Sequence, residues 1–376
     1  MTTAREHVAL GEPHKAPSTP GPETQLSDIC NPPVITGEGS GGDAANSSQV
    51  QPEVTEGDDT DSAYGDEIST YTASVRSSIY DYPERYGRTY HAYQEGRYTL
   101  PPDEAELDRL DIHHHLILRA MQNRLYFAPI PADFAGRVLD IATGTGIWPI
   151  DFADTHPAAT VIGNDLAPTQ PTMVPPNVSF YIDDVEDSWN YPEREAFDFI
   201  HARFLAGAIA DWPKLLQQCY AHTKPGGYVE FQDWNTWLYS QDGTLPVESA
   251  LNKFHQISCA GRHAQGYNMR PGPDLEQYLK DAGFVDIEVQ KILLPLGPWP
   301  KDKFRKEIGI INLVQMEKAV EAICLAVLTQ LPTEAGGPWS WEAVQVFLAD
   351  IRKDMRNKKI HGVYDFFIVH GRRPEI

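Results

Sequence analysis

From residue 137 onward, short apolar runs alternate with segments of helical period. Arg137–Ala142 (RVLDIA), Thr160–Asp165 (TVIGND), Val178–Ile182 (VSFYI), Phe197–Ala202 (FDFIHA) and Gly227–Gln232 (GYVEFQ) have the length and composition of buried strands. Ile147–Thr155, stopped before Pro157, and Asp211–Thr223 predict helices between them. Strands alternating with helices predict an α/β fold, a doubly wound and mostly parallel sheet covered on both faces. Upstream, 101–127 predicts a helix opened by Pro102 and Asp103, with Leu107, Leu110, Ile117, Met121 and Leu125 near helical spacing. Beyond Trp234 the alternation loosens. Pro273–Ala282 predicts a helix closed by Gly283, Phe284–Gln290 a strand, 301–331 and 340–355 helices, and Val363–His370 a last strand. Helical cap insertions are therefore expected at about 240–272 and 296–358.

Before residue 86 this patterning fades. Residues 1–67 hold 13 acids against 2 bases and are rich in Pro, Gly and Ser. Such a stretch buries too little apolar area to offset ordering entropy, so 1–85 is expected to be a disordered acidic tail and 86–376 the folded domain. Tyrosines crowd between Tyr64 and Tyr98, a composition suited to docking rings on that domain. The formal net charge of −22 disfavours a nucleic-acid partner. No uncharged apolar run is long enough to span a bilayer, and no apolar run follows a basic start as in a secretory signal. Four cysteines without a CxxC spacing argue against a zinc ribbon or a disulfide scaffold. Reduced thiols fit an intracellular setting, cytoplasmic and/or nuclear. His113, His114 and His115 invite a metal reading. Successive helical residues diverge by about 100°, so three in a row cannot converge on one ion, and no metal is expected.

The chemistry concentrates at strand ends. Val138–Gly146 (VLDIATGTG) runs from an apolar strand through Asp140 into a turn bearing Gly144 and Gly146. Glycines there let backbone approach a ligand, at the carboxyl end of a strand where open α/β sheets bind ligands. Asp165 ends the next strand, placed to accept the hydroxyls of a ribose. Asp184 and Val185 follow the third, an acid for an exocyclic amine and a backbone N–H beside it. A dinucleotide fingerprint requires a small residue at the third glycine position; Pro149 stands there and removes an N–H, which weakens an NAD reading. No Walker lysine follows the glycines.

The phrase VLDIATGTG resembles the first motif of the Rossmann-like S-adenosylmethionine (SAM) methyltransferases. More narrowly, residues from about 95 to 375 resemble the LaeA/UMTA-type methyltransferases of filamentous fungi. The matching phrases are PPDEAELDRLDIHHHLILRAMQNRLYFAPI, VLDIATGTGIWPIDFADTHP, VIGNDLAPTQPTMVPPNVSFYIDDVEDSW, FDFIHARFLAG and KPGGYVEFQDW. The resemblance implies a seven-stranded sheet, SAM as cofactor, and methyl transfer to a small secondary metabolite or a protein. It assigns Asp140, Gly144 and Gly146 to the methionyl end of SAM, Asp165 to the ribose, and Asp184 with Val185 to the adenine. It also sets His201 and Arg203 beside the methyl acceptor, and matches His114 and His115 to a histidine pair at the cleft. Ala142 replaces the first glycine of the broad motif, a change compatible with ligand approach if its φ is negative.

Several roles remain expectations. His201 is the first candidate base because histidine titrates near neutral pH. Glu230 and Asp233 are further candidates. His114, His115, Arg203 and Trp234 are acceptor or lid candidates, with Asp108 and Arg109 on the same helix; Trp237, Trp299 and Tyr267 are further aromatic candidates for the acceptor pocket. The family also includes regulators of secondary metabolism and development. An alternative is therefore a regulatory protein that uses the fold as an interaction platform, its acidic tail being a binding arm for a protein partner.

Overall fold

The computed structural model describes residues 84–85, 88–89 and 100–375, apart from 332, 334 and 335; nearly all of the expected acidic tail and tyrosine-rich segment lies outside them. Two short strands, β1 (Glu84–Arg85) and β2 (Arg88–Thr89), pair antiparallel. The next element, helix α1 (Glu104–Ala120), begins at Asp103, whose side chain accepts the Glu106 N–H. Arg88 pairs with the same carboxylate, tying β2 to the helix start. The expected helix 101–127 is shorter: Gln122 and Asn123 take left-handed φ values and end it.

The α/β alternation then follows in order: β3 (Arg137–Ile141), α2 (Ile147–Thr155), β4 (Thr160–Asp165), β5 (Val178–Ile182), β6 (Phe197–Arg203), α3 (Trp212–His222), β7 (Thr223–Ser240). After them come α4 (Ala250–Ala264), α5 (Leu275–Asp281), β8 (Val285–Pro295), α6 (Lys303–Leu328), α7 (Trp341–Met355) and β9 (Gly362–Arg372). Seven strands form one sheet in the order β5-β4-β3-β6-β7-β9-β8. The pairs from β5 through β7 are parallel, and β9 runs antiparallel between β7 and β8. The winding reverses between β3 and β6. That reversal opens a crevice at the carboxyl ends of these strands, where ligands bind in doubly wound sheets.

Three apolar clusters hold the layers. Leu139, Ile141 and Ile200 meet Leu215, Leu216 and Leu279 of α3 and α5. Trp148 and Phe152 of α2 meet Val138, Val161 and Phe199. The third cluster belongs to the cap: Leu116 and Ile117 of α1 pack with Phe254 of α4, Val320 and Leu328 of α6, Leu348 of α7, and Leu238 and Phe366 where β7 and β9, with β8, extend past the parallel strands. β7 is three times the expected length, and that extension is the floor on which the cap helices sit.

Candidate functional site

The turn after β3 is pinned by β4. Thr143 N–H donates to the Asn164 carbonyl at 2.8 Å and Gly144 N–H to Asp165 Oδ2 at 2.8 Å. Gln170 Nε2 closes the other side on the Gly144 carbonyl at 2.7 Å. Ala142 has φ +51°, so the condition set for ligand approach past this alanine, a negative φ, is not met. The turn forces a left-handed residue at this point, which for an alanine costs of order 1–3 kcal/mol and persists because the surrounding hydrogen bonds over-determine it. Gly144 (φ +58°) faces a cavity of about 280 Å³, across which an added Cβ would stand 3.6 Å from Leu110.

Asp140, Gly144, Asp165, Asp184 and Val185 all line this one cavity. Gly146 does not. It opens α2 with φ +75°, and a Cβ there would meet the Phe180 ring at 2.5 Å, so packing and backbone conformation require the glycine. The missed residue of this group is Asp183. It lines the cavity, one carboxyl oxygen is buried without a partner, and burial lifts the group to about 7. Burial likewise lifts Asp165 to about 6, against the N–H donors of Gly144 and Ala167. The adjacent sequence Asp183-Asp184 held the signal, but nothing in it says that both acids reach one cavity.

His201 is a correction. It is fully buried, does not line the cavity, stacks on Trp148 at 3.7 Å, and its Nδ1 meets Asp140 Oδ1 at 2.7 Å. Burial lowers its pKa although Asp140 opposes the shift. A side chain sealed behind Asp140 cannot take a proton from an acceptor; its place is to orient that acid, whose other oxygen accepts from the Thr143 hydroxyl at 2.6 Å. Glu230 and Asp233 are also anchors outside the cavity lining. Glu230 accepts the Phe127 and Ala128 N–H groups at 2.7 and 2.6 Å, and Asp233 accepts those of Leu205 and Trp234 at 2.7 and 2.8 Å.

On α1 the inward histidines are His113 and His114; His115 is exposed, because helical twist carries it past the inward arc. His113 lines the cavity, stacked on Phe204 at 3.7 Å, and burial with Arg109 nearby lowers its pKa well below the usual range. Arg109 is buried with its guanidinium forked on Glu106 at 2.7 and 2.9 Å, and donates to Gln315 of α6 at 3.1 Å. Asp108 is exposed instead, facing Lys318. Arg203 lines the cavity and donates to His114 Nδ1.

The far wall comes from the cap and from β7 and β9. Trp234, Phe254, His255, Ser258, Cys259, Met269, Met316, Ile323 and Tyr364 enclose an apolar and aromatic chamber continuous with the acid-lined end. His255 Nε2 meets the Tyr364 hydroxyl at 3.0 Å, and burial lowers this histidine to about 3. Of the aromatic candidates only Trp234 reaches the chamber. Trp299 stacks on His361, Tyr267 lies under Arg262, and Trp237 faces Arg270.

The lining tests the ligand class. Six acids, Glu106, Asp140, Asp165, Asp183, Asp184 and Glu186, line the cavity against three guanidiniums, Arg109, Arg203 and Arg262, and Arg109 is already paired with Glu106. That charge opposes a pyrophosphate and suits a nucleoside that donates hydroxyls and an amine, so the residues fit SAM better than a dinucleotide. Among the described residues no helix is long and apolar enough to cross a membrane.

Comparison with known proteins agrees with this chemistry. A family model described as a methyltransferase domain matches residues 112–289. Methyltransferase pytC of Aspergillus terreus is 40% identical over 303 residues, covering 80% of this chain and 91% of that protein. Protein-methionine methyltransferase laeA of Emericella nidulans is 35% identical over 307 residues, covering 80% and 79%. Among solved structures, Haemonchus contortus phosphoethanolamine N-methyltransferase 2 in complex with S-adenosyl-L-methionine is 16% identical, with a TM-score of 0.45 over 83% of this chain and 75% of that one.

Proposed function

The chain belongs to the LaeA/UMTA-like SAM-dependent methyltransferases of filamentous fungi, and from that premise we propose that it methylates a small, largely apolar metabolite held in the cap chamber. The single observation behind this reading is the continuity of two unlike compartments in one cavity. One is lined by Gly144, Asp165, Asp183, Asp184 and Val185, the other by Trp234, Phe254, Met316, Ile323 and Tyr364.

When bound, SAM supplies an electrophilic methyl on a sulfonium sulfur. Asp165 is the group to receive ribose hydroxyls, and Asp183 or Asp184 the adenine amine. The backbone of 142–144, which lines the cavity, would hold the amino-acid arm. The aromatic wall excludes water and fixes the acceptor's approach, and holding two reactants in line supplies a large share of a displacement's acceleration. His113 and His255 are kept neutral by burial, so neither brings a competing positive charge toward a sulfonium.

A chamber lined mostly by apolar and aromatic side chains favours a metabolite over a protein side chain, which would arrive with its polar backbone. A protein acceptor is the rival suggested by the name of the Emericella relative. The test is to incubate the enzyme and methyl-tritiated SAM with a fungal lysate and partition the products. Label in the organic extract, dependent on Asp165, is the expected result; label confined to acid-precipitated protein would contradict the small-acceptor reading.

A further inference from the structure

Arg203 ends β6, directly after Ala202, which pairs with Ile141 of β3. Its side chain therefore stands beside the Ala142–Gly144 turn. Arg203 lines the cavity, and its guanidinium lies over the Phe204 ring at 5.0 Å and donates through Nη2 to His114 Nδ1 at 2.5 Å. Arg109, by contrast, spends its fork on Glu106. Among the described residues Arg203 forms no direct ion pair; Asp140, Asp151 and Asp111 act on it only through space.

The histidine is itself oriented. Because Nδ1 receives the arginine hydrogen, the ring proton sits on Nε2, where it donates to Asp151 Oδ2 at 3.0 Å. Burial, and then the neighbouring Arg203, lower the His114 pKa, in keeping with a neutral ring. An Asp151–His114–Arg203 chain thus fixes a planar fork of donors at the edge of the glycine turn. Such a fork matches a carboxylate in two-point contact.

We propose that Arg203, held in place by His114 and Asp151, is the clamp for the α-carboxylate of the cofactor's methionyl arm. This moves Arg203 from the acceptor side, where the family resemblance set it, to the cofactor side. It rests on the SAM reading above. The clamp makes the enzyme discriminate adenosyl ligands by their carboxylate, rejecting 5′-methylthioadenosine and decarboxylated analogues that share the nucleoside.

Calorimetric titration of the purified chain with S-adenosylhomocysteine, its decarboxylated amine and 5′-methylthioadenosine is the test. Wild type is expected to bind S-adenosylhomocysteine on the order of 10–100-fold more tightly than the decarboxylated amine, the range for charge-assisted hydrogen bonds. Arg203→Gln removes that preference and leaves methylthioadenosine affinity within about 2-fold of wild type. His114→Asn gives a smaller loss of about 3–10-fold, again confined to the ligand with a carboxylate. Equal weakening of all three ligands assigns Arg203 a structural role and overturns the proposal. So does a wild type indifferent to the carboxylate, a comparison that needs no variant and survives any folding defect. Binding of none of the three by folded protein would instead remove the SAM reading, and the clamp with it.

Discussion

Asp165 is the residue on which cofactor affinity most depends. One oxygen holds the Gly144 N–H and the other the Ala167 N–H, so the same carboxylate shapes the turn and faces the ligand. Burial holds it at about 6. Ligand hydroxyls donate to the ionised form, so binding favours loss of the proton, and affinity must fall as the pH drops through about 6. Asp165→Asn is expected to weaken S-adenosylhomocysteine binding at pH 8 by about 1.5–3 kcal/mol. It should also remove this acid's part of the pH dependence, so that titrations at pH 5 and pH 8 differ less in the variant than in wild type. Parallel pH profiles would mean that this carboxyl does not meet the ligand. Ala142 illustrates the reverse relation between residue and turn: its strained φ follows from the hydrogen bonds around it, and no property of alanine announces it.

Among the elements, β7 does the most to join the two halves. Its Glu230 receives the Phe127 and Ala128 N–H groups and the Gln232 amide, fastening the segment after α1 to the sheet. Glu230→Gln turns an amide NH₂ toward at least one of these donors and should cost about 1–3 kcal/mol. Burial raises this carboxyl from an ordinary 4.5 to about 7. The folded state therefore keeps a proton that the unfolded chain has released between those values, and the stability it contributes is lost as pH rises through about 7. Urea melts should show a wider gap between wild type and Glu230→Gln at pH 5 than at pH 8; a gap that widens with pH contradicts the burial account.

The core strands were legible because both sheet faces are covered, which leaves uninterrupted apolar runs. α4 was legible only as part of a cap region. Its inward face carries His255, Ser258, Cys259 and Arg262 beside Leu251 and Phe254, since it walls a cavity, and the apolar period is diluted. The glycine turn and the acids at strand ends could be read for the same reason that they converge: successive parallel strands deliver their carboxyl ends to one edge. His201 misled because chemical suitability is visible in a residue type and access is not.

At the scale of the whole molecule, an acid-lined crevice at the winding reversal of the sheet is continuous with a chamber roofed by α4 and α6. The ends of the parallel strands supply acids and backbone, and the cap together with the extended parts of β7 and β9 supplies aromatic and aliphatic surface. This division lets the cap's residues change without touching the turn. Titration of ligand-free wild-type protein with S-adenosylhomocysteine, monitored by calorimetry, tests the account at its centre. One site per chain is expected, lost when Gly144→Val fills the cavity beside Leu110 while the circular-dichroism spectrum stays native. Binding by the valine variant equal to wild type, or no binding by the folded wild type, would contradict it.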